Sequence, residues 1–372
     1  MERKLKLAIL SPSKNAYSET FIQAHKNNLN AEVLYYYGGL IPKFLDKGYS
    51  LVSSKKRIIN KFRTYFSKKF KLGIEYSLHD SFKKEKVQAV LAEYGPTACE
   101  VLEVCKSLRL PLIVHFHGYD ASKFDVIRKY NSYKGLFLFA TKIIVVSEEM
   151  KGQLLGLGCP IEKIVLNTYG PNDTFQLVNP QFSEPWLVGI GRFVDKKAPY
   201  YLLLAFKEVV KANPESKLIL AGDGHLKNTC VNLAGYLGIS ENIEFKGVIT
   251  PSDYIDLLSK STAFVQHSIT ALDGDKEGTP LAVLEASSAG LPVISTIHAG
   301  IPDVIINDKT GILVEEHDVM GMAEAMIKML SDLNLAKKMG AEGKRHITLN
   351  FSMQRHISTL DTVIVNCLNA LK

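Results

Sequence analysis

Residues 186–213 read WLVGIGRFVDKKAPYYLLLAFKEVVKAN, which predicts a strand, a short loop and a helix in succession. The apolar run at 186–191 is typical of a parallel strand that helices cover on both faces. Pro199 suits the first turn of the helix, and the pair Asn213-Pro214 ends it. Because this βα pattern recurs along the chain, the sequence predicts an α/β protein with parallel sheets.

Twelve such apolar runs predict strands, in two groups of six. The first group is 5–10, 31–37, 89–94, 110–117, 142–147 and 163–169, and the second is 186–191, 217–222, 243–248, 263–268, 291–296 and 311–315. Between them, residues 170–185 contain three prolines and a glycine and predict a linker. We therefore expect two doubly wound domains, at 1–172 and 173–350, facing each other across a cleft, and a C-terminal helix at 351–372 that returns to the first domain.

Composition favours a protein of a reducing compartment. The chain has 372 residues, 46% hydrophobic and 22% charged, which is enough for two globular domains. Its five cysteines show no C-x-x-C pairing, so neither a disulfide framework nor a zinc site is expected. The N-terminus has four consecutive apolar residues and no apolar run reaches about 18, so we expect no signal peptide and no transmembrane helix.

Cationic and small residues follow strands of the second group, where ligands of such sheets bind. Arg192 and Lys197 flank the start of a helix, whose free N–H groups and dipole attract anions. They indicate either a diphosphate site or a pair of solvated charges. Gly222 and Gly224 follow the next strand, either to let the backbone approach a ligand or to form a tight turn.

The stretch DGDKEGTPLAVLE at 273–285 contains several carboxylates. Its D-x-D pair, Asp273 and Asp275, is of the kind that holds a divalent metal against a nucleotide diphosphate. The following Gly-Thr-Pro predicts a turn into a helix at 280–289, whose first N–H groups suit a diphosphate. Glu277 precedes this helix. Glu285 lies in its second turn, where a carboxylate among apolar residues needs a partner such as a ribose diol or a lysine.

In the first half, HFHGYD ends the fourth predicted strand and places His115 and His117 on one face. A metal site is the less favoured interpretation of this pair, because no third ligand stands at a useful spacing. The residues Ser18, Glu19 and Thr20 predict the entry of a helix after the first strand, and they are candidates for the floor of an acceptor site.

In this order, these loops resemble the retaining glycosyltransferases of family 4, which have the GT-B fold of two Rossmann-like domains. The family has two glutamates separated by seven residues, as Glu277 and Glu285 are, and an arginine and a lysine after the first strand of the second domain, as Arg192 and Lys197 are. The stretches HAGIPDVI and KTGILV match family patterns as well. The Thr-Pro that replaces a common Phe-Gly is similar to the branch that makes bacterial surface polysaccharides.

The resemblance implies sugar transfer with retention from a UDP or GDP sugar to a glycan or polyprenyl-diphosphate-linked acceptor. It implies no cofactor and no bound metal, which leaves Asp273 and Asp275 as loop carboxylates. The catalytic residues that it implies are His117, Glu277, Arg192 and Lys197. The implied donor-binding residues are Arg192, Lys197, Gly222, Gly224, Gly278, Thr279, Pro280, Leu281 and Glu285, and the acceptor-binding residues are Ser18, Glu19 and Thr20.

Charge is unevenly distributed. Residues 1–90 hold 18 Lys/Arg and 7 Asp/Glu, although the whole chain has a net charge of +7. Within them, 55–71 has eight Lys/Arg and no acid, and its apolar residues recur at helical spacing: Ile58, Ile59, Phe62, Tyr65, Phe66 and Phe70. Such a helix either binds an anionic membrane surface or packs its apolar stripe on its own sheet. The resemblance implies polysaccharide assembly on a lipid diphosphate at the cytoplasmic face, so the first interpretation predicts a peripheral protein on the inner face of the cytoplasmic membrane. No nucleic-acid partner is expected.

Three alternatives remain open. A GT-B epimerase would act on a nucleotide sugar in a similar cleft, and a nucleotide-sugar-binding protein would lack catalysis altogether. A nicotinamide-dependent dehydrogenase is disfavoured, because neither SPSKNAYSE nor GRFVDKK contains the G-x-G-x-x-G that follows the first strand of such a domain.

Overall fold

A computed structural model describes residues 4–17, 19–46, 48–67 and 69–369. The chain divides into two compact units, Met1–Asn167 with Ile357–Lys372, and Thr168–His356. Both are α/β units built on a largely parallel sheet, which is the predicted fold class. The first boundary falls just before the proline-containing segment at 170–185, and the second falls inside the last helix.

The N-terminal unit contains an eight-stranded sheet of order β4-β3-β2-β1-β5-β6-β7-β8. Its strands are β1 (Lys6–Ser11), β2 (Glu32–Tyr37), β3 (Phe44–Leu45), β4 (Tyr49–Ser50), β5 (Ala89–Glu93), β6 (Leu112–His115), β7 (Lys142–Val145) and β8 (Ile164–Leu166). Its helices are α1 (Thr20–Asn28), α2 (Ser54–Ser67), α3 (Gly73–Glu85), α4 (Gly95–Leu108), α5 (Tyr119–Ser122), α6 (Phe124–Lys129), α7 (Lys134–Phe139) and α8 (Glu148–Gly156). All six predicted strands are present, and β3 and β4 add an antiparallel hairpin at one edge.

The second unit contains a six-stranded parallel sheet of order β11-β10-β9-β12-β13-β14. Its strands are β9 (Trp186–Ile190), β10 (Lys217–Ala221), β11 (Ile243–Gly247), β12 (Ala263–Gln266), β13 (Val293–Thr296) and β14 (Gly311–Val314). Its helices are α9 (Pro199–Ala212), α10 (Lys227–Leu237), α11 (Pro251–Lys260), α12 (Leu281–Ala289), α13 (Ile301–Val304), α14 (Val319–Ser331) and α15 (Leu333–Asn350). The last helix, α16 (Met353–Asn369), begins in this unit and ends in the first, where Asp361 Oδ1 accepts a hydrogen bond from Asn30 N at 3.0 Å.

The apolar runs form strands because both faces of each sheet are covered. Leu7, Ala8, Ile9 and Leu10 of β1 are fully buried, and β1 pairs in parallel with β2 on one side and β5 on the other. In β9, Leu187 and Val188 are likewise fully buried. Parallel strands joined by helices direct their carboxyl ends to one edge of the sheet, so the loops that follow them come together there.

Helix α2 packs on its unit through its polar side. Asn60 is buried, and its Nδ2 atom donates to Ser77 Oγ at 2.8 Å. Arg63 donates from Nη2 to Asp80 Oδ1 at 3.1 Å and lies over the ring of Tyr76. Buried polar groups need such partners, and here α3 provides them.

The opposite side of α2 is apolar and exposed. Five of its side chains are 57–75% exposed: Ile58, Ile59, Phe62, Tyr65 and Phe66. The interpretation that this stripe packs on its own sheet is therefore wrong for these residues. Phe70 lies beyond the end of α2 and is buried, but its ring contacts are with Tyr76 and His79 of α3.

Candidate active site

Most of the predicted site residues lie at the carboxyl ends of strands, in one cluster in each unit. In the second unit they occupy the loops after β9, β10 and β12. In the first unit they lie after β1 and β6. Ser18 falls outside the described residues.

Arg192 and Lys197 follow β9: Arg192 precedes the 3-10 turn Asp195–Lys197, and Lys197 is the last residue of that turn. Both line a small pocket at the end of the strand, together with Gln266. Arg192 is exposed and forms no ion pair with any residue that the structure describes. Lys197 is largely buried, and its Nζ atom lies 3.1 Å from Gln266 Oε1. Two cations of different accessibility thus stand at the start of α9.

Lys197 and Glu277 form an ion pair, with 3.3 Å between Nζ and Oε2. Burial alone would raise the pKa of Glu277, but the charges of Lys197, Lys196 and His298 outweigh it and lower that pKa to about 2. Glu277 is therefore an anion at neutral pH. Its Oε1 atom is buried and accepts no hydrogen bond from the residues that the structure describes, which is rare for a carboxylate oxygen in a folded protein.

His298 holds the backbone of Glu277 in place. Its Nε2 atom accepts a hydrogen bond from Glu277 N at 3.2 Å, and its Nδ1 atom lies 2.6 Å from Glu316 Oε1. Glu316 also accepts from Thr270 N at 2.8 Å. This chain of contacts ties two points of the loop between β12 and α12 to the loops after β13 and β14, so that Glu277 is fixed through its backbone as well as its side chain.

Both carboxylates of the D-x-D pair have partners within the second unit. Asp275 Oδ1 lies 2.9 Å from Nζ of Lys196, a lysine that is 6% exposed and also donates to Lys276 O at 3.0 Å. Asp273 Oδ1 accepts from Asp275 N at 3.1 Å. These contacts hold the loop before α12 in place, and the expected absence of a metal at this pair stays a prediction.

Glu285 lies in the second turn of α12, as the sequence predicts, although the helix begins at Leu281 and Pro280 is its N-cap. The side chain is partly buried and has no hydrogen bond or ion pair to the described residues. Burial raises its pKa to about 7. Gly278 and Thr279 precede the helix, and Gly278 O accepts from Gly300 N at 2.9 Å. The site thus contains a second carboxylate whose hydrogen-bonding capacity is unused.

Gly222 and Gly224 lie in the loop after β10 with φ values of +130° and +157°. A Cβ atom would lie 1.9 Å from Gly191 O at the first position and 2.4 Å from Phe193 O at the second. The close backbone approach is therefore to the neighbouring loop after β9. This contact explains why glycine occupies both positions, while donor binding by them stays a prediction.

In the first unit, His117 lies two residues beyond the end of β6 and belongs to a buried network. Its Nε2 atom is 2.9 Å from Glu93 Oε2. The second carboxylate oxygen, Oε1, is 2.8 Å from His25 Nδ1. His115 contacts the His117 ring at 4.4 Å between centroids, and burial first, then the charge of His117, lowers the pKa of His115 to about 3. His115 is therefore neutral at physiological pH.

The helix entry predicted at Ser18-Glu19-Thr20 is found at the described residues, since α1 begins at Thr20 with Glu19 as its N-cap. Glu19 Oε1 accepts from the Tyr94 hydroxyl at 2.8 Å, and its other oxygen accepts from Ser13 Oγ. The carboxylate thus joins the loops after β1 and β5. Its role toward an acceptor stays a prediction.

The expectation that no third metal ligand stands near the histidine pair is wrong. His25, Glu93 and His115 present ligand atoms that all lie within 4.8 Å of one another. However, Glu93 Oε1 and His25 Nδ1 are 2.8 Å apart, a hydrogen-bond distance shorter than the roughly 3.4 Å between the ligands of a tetrahedral zinc ion. The residues therefore fit a hydrogen-bonded network better than a metal site.

Sequence reasoning missed four residues of these clusters. Lys196 was one of two adjacent lysines, and nothing in the sequence shows that both are buried. His298 lies in a stretch noted only as a family pattern. His25 and Glu93 are 68 positions apart. Only Glu93 carried a signal, as a carboxylate at the end of an apolar strand.

The chain is similar in sequence and in fold to known glycosyltransferases. Residues 176–346 match the family model for glycosyl transferases group 1. WcaL of Escherichia coli K12, described as a colanic acid biosynthesis glycosyltransferase, is 27% identical over 65% of this chain and 61% of its own length. A GDP-mannose-dependent mannosyltransferase of Corynebacterium glutamicum, acting on monoacylated phosphatidylinositol monomannoside by its description, is 32% identical over 44% of this chain and 42% of its own.

Among solved structures, Anabaena HepE in complex with UDP and glucose superposes with a TM-score of 0.76 at 14% identity, covering 98% of this chain and 100% of that one. This likeness shows the GT-B fold.

The chain matches less than two thirds of the length of either sequence relative. No helix among the described residues is both long and apolar enough to cross a bilayer.

Proposed function

We propose that this chain, whose residues 176–346 are a group 1 glycosyltransferase domain in a GT-B fold, transfers a sugar from a nucleotide diphosphate sugar to a glycan or lipid-linked acceptor. The proposed reaction retains the anomeric configuration, requires no bound metal and serves the synthesis of a bacterial surface polysaccharide. The similarity to WcaL supports the last point.

The observation that supports this function most strongly is the Lys197–Glu277 pair at the start of α12. Glu277 is held as an anion, its backbone is fixed by His298, and its Oε1 atom has no partner within the described chain. A sugar hydroxyl would supply the missing donor. Glu285 offers a second unused carboxylate, which suits the two hydroxyl donors of a ribose.

Arg192 and Lys197 provide the main stabilisation of the transition state. In the proposed step the acceptor oxygen bonds to the anomeric carbon, the bond from that carbon to the diphosphate oxygen breaks, and the departing phosphate takes the acceptor proton. Negative charge thus grows on the diphosphate, where Arg192 and Lys197 would bind it. One preorganised contact of this kind typically lowers the barrier by about 2.7–4 kcal/mol. His117 would act on the transferred sugar from the first unit.

Thermal shift followed by a turnover assay tests this function. UDP, GDP, UDP-glucose and GDP-mannose are each added to the full chain, and a nucleotide at 100 times its dissociation constant should stabilise by about 2.7 kcal/mol. The binding nucleotide sugar is then incubated alone and with membrane lipid extract. Acceptor-dependent release of nucleoside diphosphate supports transfer, and formation of an isomeric nucleotide sugar without acceptor supports an epimerase. Stabilisation by none of the four would contradict the proposed donor class.

Helix α2 supports a second part of the proposal, that the protein acts at an anionic membrane surface, on the inner face of the cytoplasmic membrane. The helix turns its apolar side outward because its polar side is used for packing on α3. Lys55, Lys56, Arg57 and Lys61 are exposed beside that apolar side. Each basic residue near an anionic surface contributes about 1 kcal/mol, and the apolar side chains insert between headgroups.

Cosedimentation with lipid vesicles tests the membrane part. We expect binding to vesicles with anionic lipid, weaker binding at high salt, and none to zwitterionic vesicles. The double substitution Lys55→Glu and Lys56→Glu should reduce binding, and Phe62→Ser with Phe66→Ser should do so without changing charge. Lys337→Glu with Lys338→Glu on α15 is the matched control, because it makes the same charge change on another helix. Equal losses in the first and last variants would reject α2 as the contact.

A further inference from the structure

Glu93 connects two histidines at the centre of the first sheet. It is the last residue of β5, a strand that lies between β1 and β6, and its side chain is fully buried. Its two carboxylate oxygens have different partners: Oε1 lies 2.8 Å from His25 Nδ1 and Oε2 lies 2.9 Å from His117 Nε2. The carboxylate therefore links α1 to the loop after β6, from which His117 projects.

The chemistry of the pair constrains His117. An ionised carboxylate only accepts hydrogen bonds, so each histidine must present an N–H to it. Burial alone would raise the pKa of Glu93, but the charge of His25 and hydrogen bonds from His115, His117 and His25 lower it well below its usual range. Glu93 is thus an anion, and neutral His117 must carry its proton on Nε2 and a lone pair on Nδ1.

Packing holds the His117 ring independently of Glu93. The ring stacks on Phe21 at 4.4 Å between centroids and contacts the edge of Tyr94 at 4.5 Å. Its backbone N–H donates to Asp120 Oδ1 at 3.0 Å. Removing the carboxylate charge should therefore leave the ring in place. The effect of Glu93 is therefore on which ring nitrogen of His117 bears the proton.

We propose that Glu93 is a positioning residue that sets His117 as the Nε2–H tautomer and keeps Nδ1 as its basic atom. The proposal rests on the proposed function, in which His117 acts on the transferred sugar. Histidine catalysis depends on the tautomer, because a ring of the wrong tautomer presents a donor where the reaction needs an acceptor.

Nitrogen NMR of the full chain with ring-labelled histidine tests the tautomer without any substrate. The signals of His117 are identified by their absence from His117→Ala. We expect Nε2 to be protonated in the wild type and in Glu93→Asp, which keeps an acceptor-only group. In Glu93→Gln the amide oxygen accepts from one imidazole only, so the Nε2–H population of His117 should fall. A wild-type ring protonated on Nδ1, an unchanged population in Glu93→Gln, or one equivalent of bound zinc in the purified protein would overturn the proposal.

A double-mutant cycle on turnover of UDP-glucose or GDP-mannose then tests the route of the effect. Glu93→Gln should lower kcat by at least about tenfold with little change in the KM for the nucleotide sugar. In the His117→Ala background the same substitution should have no further effect. His25→Asn, which removes the other partner of Glu93, should lower kcat less than Glu93→Gln does. An equal loss from Glu93→Gln with and without His117 would overturn the positioning role.

Failure of the proposed catalytic role of His117 and failure of its assigned tautomer give different experimental results. Wild-type turnover in His117→Ala would contradict the proposed role of that histidine while the NMR result still stood. A circular dichroism spectrum and melting temperature are recorded for Glu93→Gln and Glu93→Asp. If only the first variant is misfolded, the tautomer of His117 in the wild type and in Glu93→Asp decides the question.

Discussion

Glutamine at position 285 is expected to stabilise the protein at alkaline pH while impairing its reaction. Glu285 lies in α12 with no hydrogen bond to the described residues, and burial raises its pKa to about 7. Its ionised form is thus less favourable in the folded protein than in water. A neutral amide of the same shape avoids that cost, so Glu285→Gln separates stability from function.

The sign and the size of this change in the free energy of unfolding follow from the pKa of Glu285. A carboxyl group whose pKa is higher in the folded state binds its proton more tightly there, so its effect on folding is absent at low pH and becomes unfavourable as pH rises from 4.5 to about 7. At about 1.36 kcal/mol per pKa unit, this interval corresponds to a cost of up to about 3 kcal/mol at pH 8.5 and of less than about 0.5 kcal/mol at pH 4.5. The free energy of unfolding of Glu285→Gln should exceed that of the wild type by these amounts.

Calorimetric unfolding of the full chain at the two pH values measures the difference. A gain of 1 kcal/mol raises the melting temperature of a unit of this size by about 2–4 °C, so we expect a rise of about 6–12 °C at pH 8.5 and of about 2 °C or less at pH 4.5. Glu324→Gln is the matched control, because Glu324 is an exposed glutamate of α14. An equal rise at both pH values, or a lower melting temperature of Glu285→Gln at pH 8.5, would refute the reasoning.

Other predictions concern the remaining charges of the second unit. Arg192→Ala and Lys197→Ala should each lower turnover by about two to three orders of magnitude, but only Lys197→Ala should lower the melting temperature, because it leaves Glu277 buried without its cation. Equal melting temperatures would contradict the ion-pair argument. Glu277→Gln should destabilise the protein at pH 7 and progressively less as pH falls from 4.5 toward 2. The pKa of Glu277 is lowered in the folded state, so the ionised carboxylate adds to the free energy of unfolding fully above pH 4.5 and loses that effect as it is protonated. A pH-independent difference in unfolding free energy would count against this. EDTA should leave the turnover of the purified enzyme unchanged; loss of turnover that Mn²⁺ restores would assign a metal to Asp273 and Asp275.

Most of the fold could be predicted from the sequence because parallel strands buried on both faces are continuous apolar runs. All twelve predicted strands are present, and the helix at 199–213 ends within a residue of its predicted position. The hairpin of β3 and β4 was missed because two strands of two residues each, with three of the four residues exposed, have no apolar periodicity. The last helix was predicted from 351 onward, but sequence cannot show where along it the chain passes from one unit to the other.

The candidate site could be predicted only in part. The charged residues at strand ends were visible because carboxylates and cations next to apolar runs are unusual. Their pairing was not visible, since Lys197 pairs with Glu277 and Lys196 with Asp275 through contacts between loops that are distant in the sequence. Likewise the periodicity of 55–71 predicts an amphipathic helix but not which side packs on the protein, because Asn60 and Arg63 find polar partners that only the fold provides.

Among the carboxylates of the two clusters, hydrogen bonding separates Glu277 and Glu285 from Asp275 and Glu93. Asp275 and Glu93 each have partners at hydrogen-bond distance and hold a loop or a ring in place. Glu277 keeps a buried oxygen without a partner, and Glu285 has none for either oxygen among the described residues. The buried oxygen of Glu277 is unfavourable by about 1–3 kcal/mol while it lacks a hydrogen bond, and burial disfavours the charged form of the partly exposed Glu285. A ligand with hydroxyl donors would remove that cost on binding, which is why these two carboxylates, rather than the D-x-D pair, are the ones that we assign to the donor.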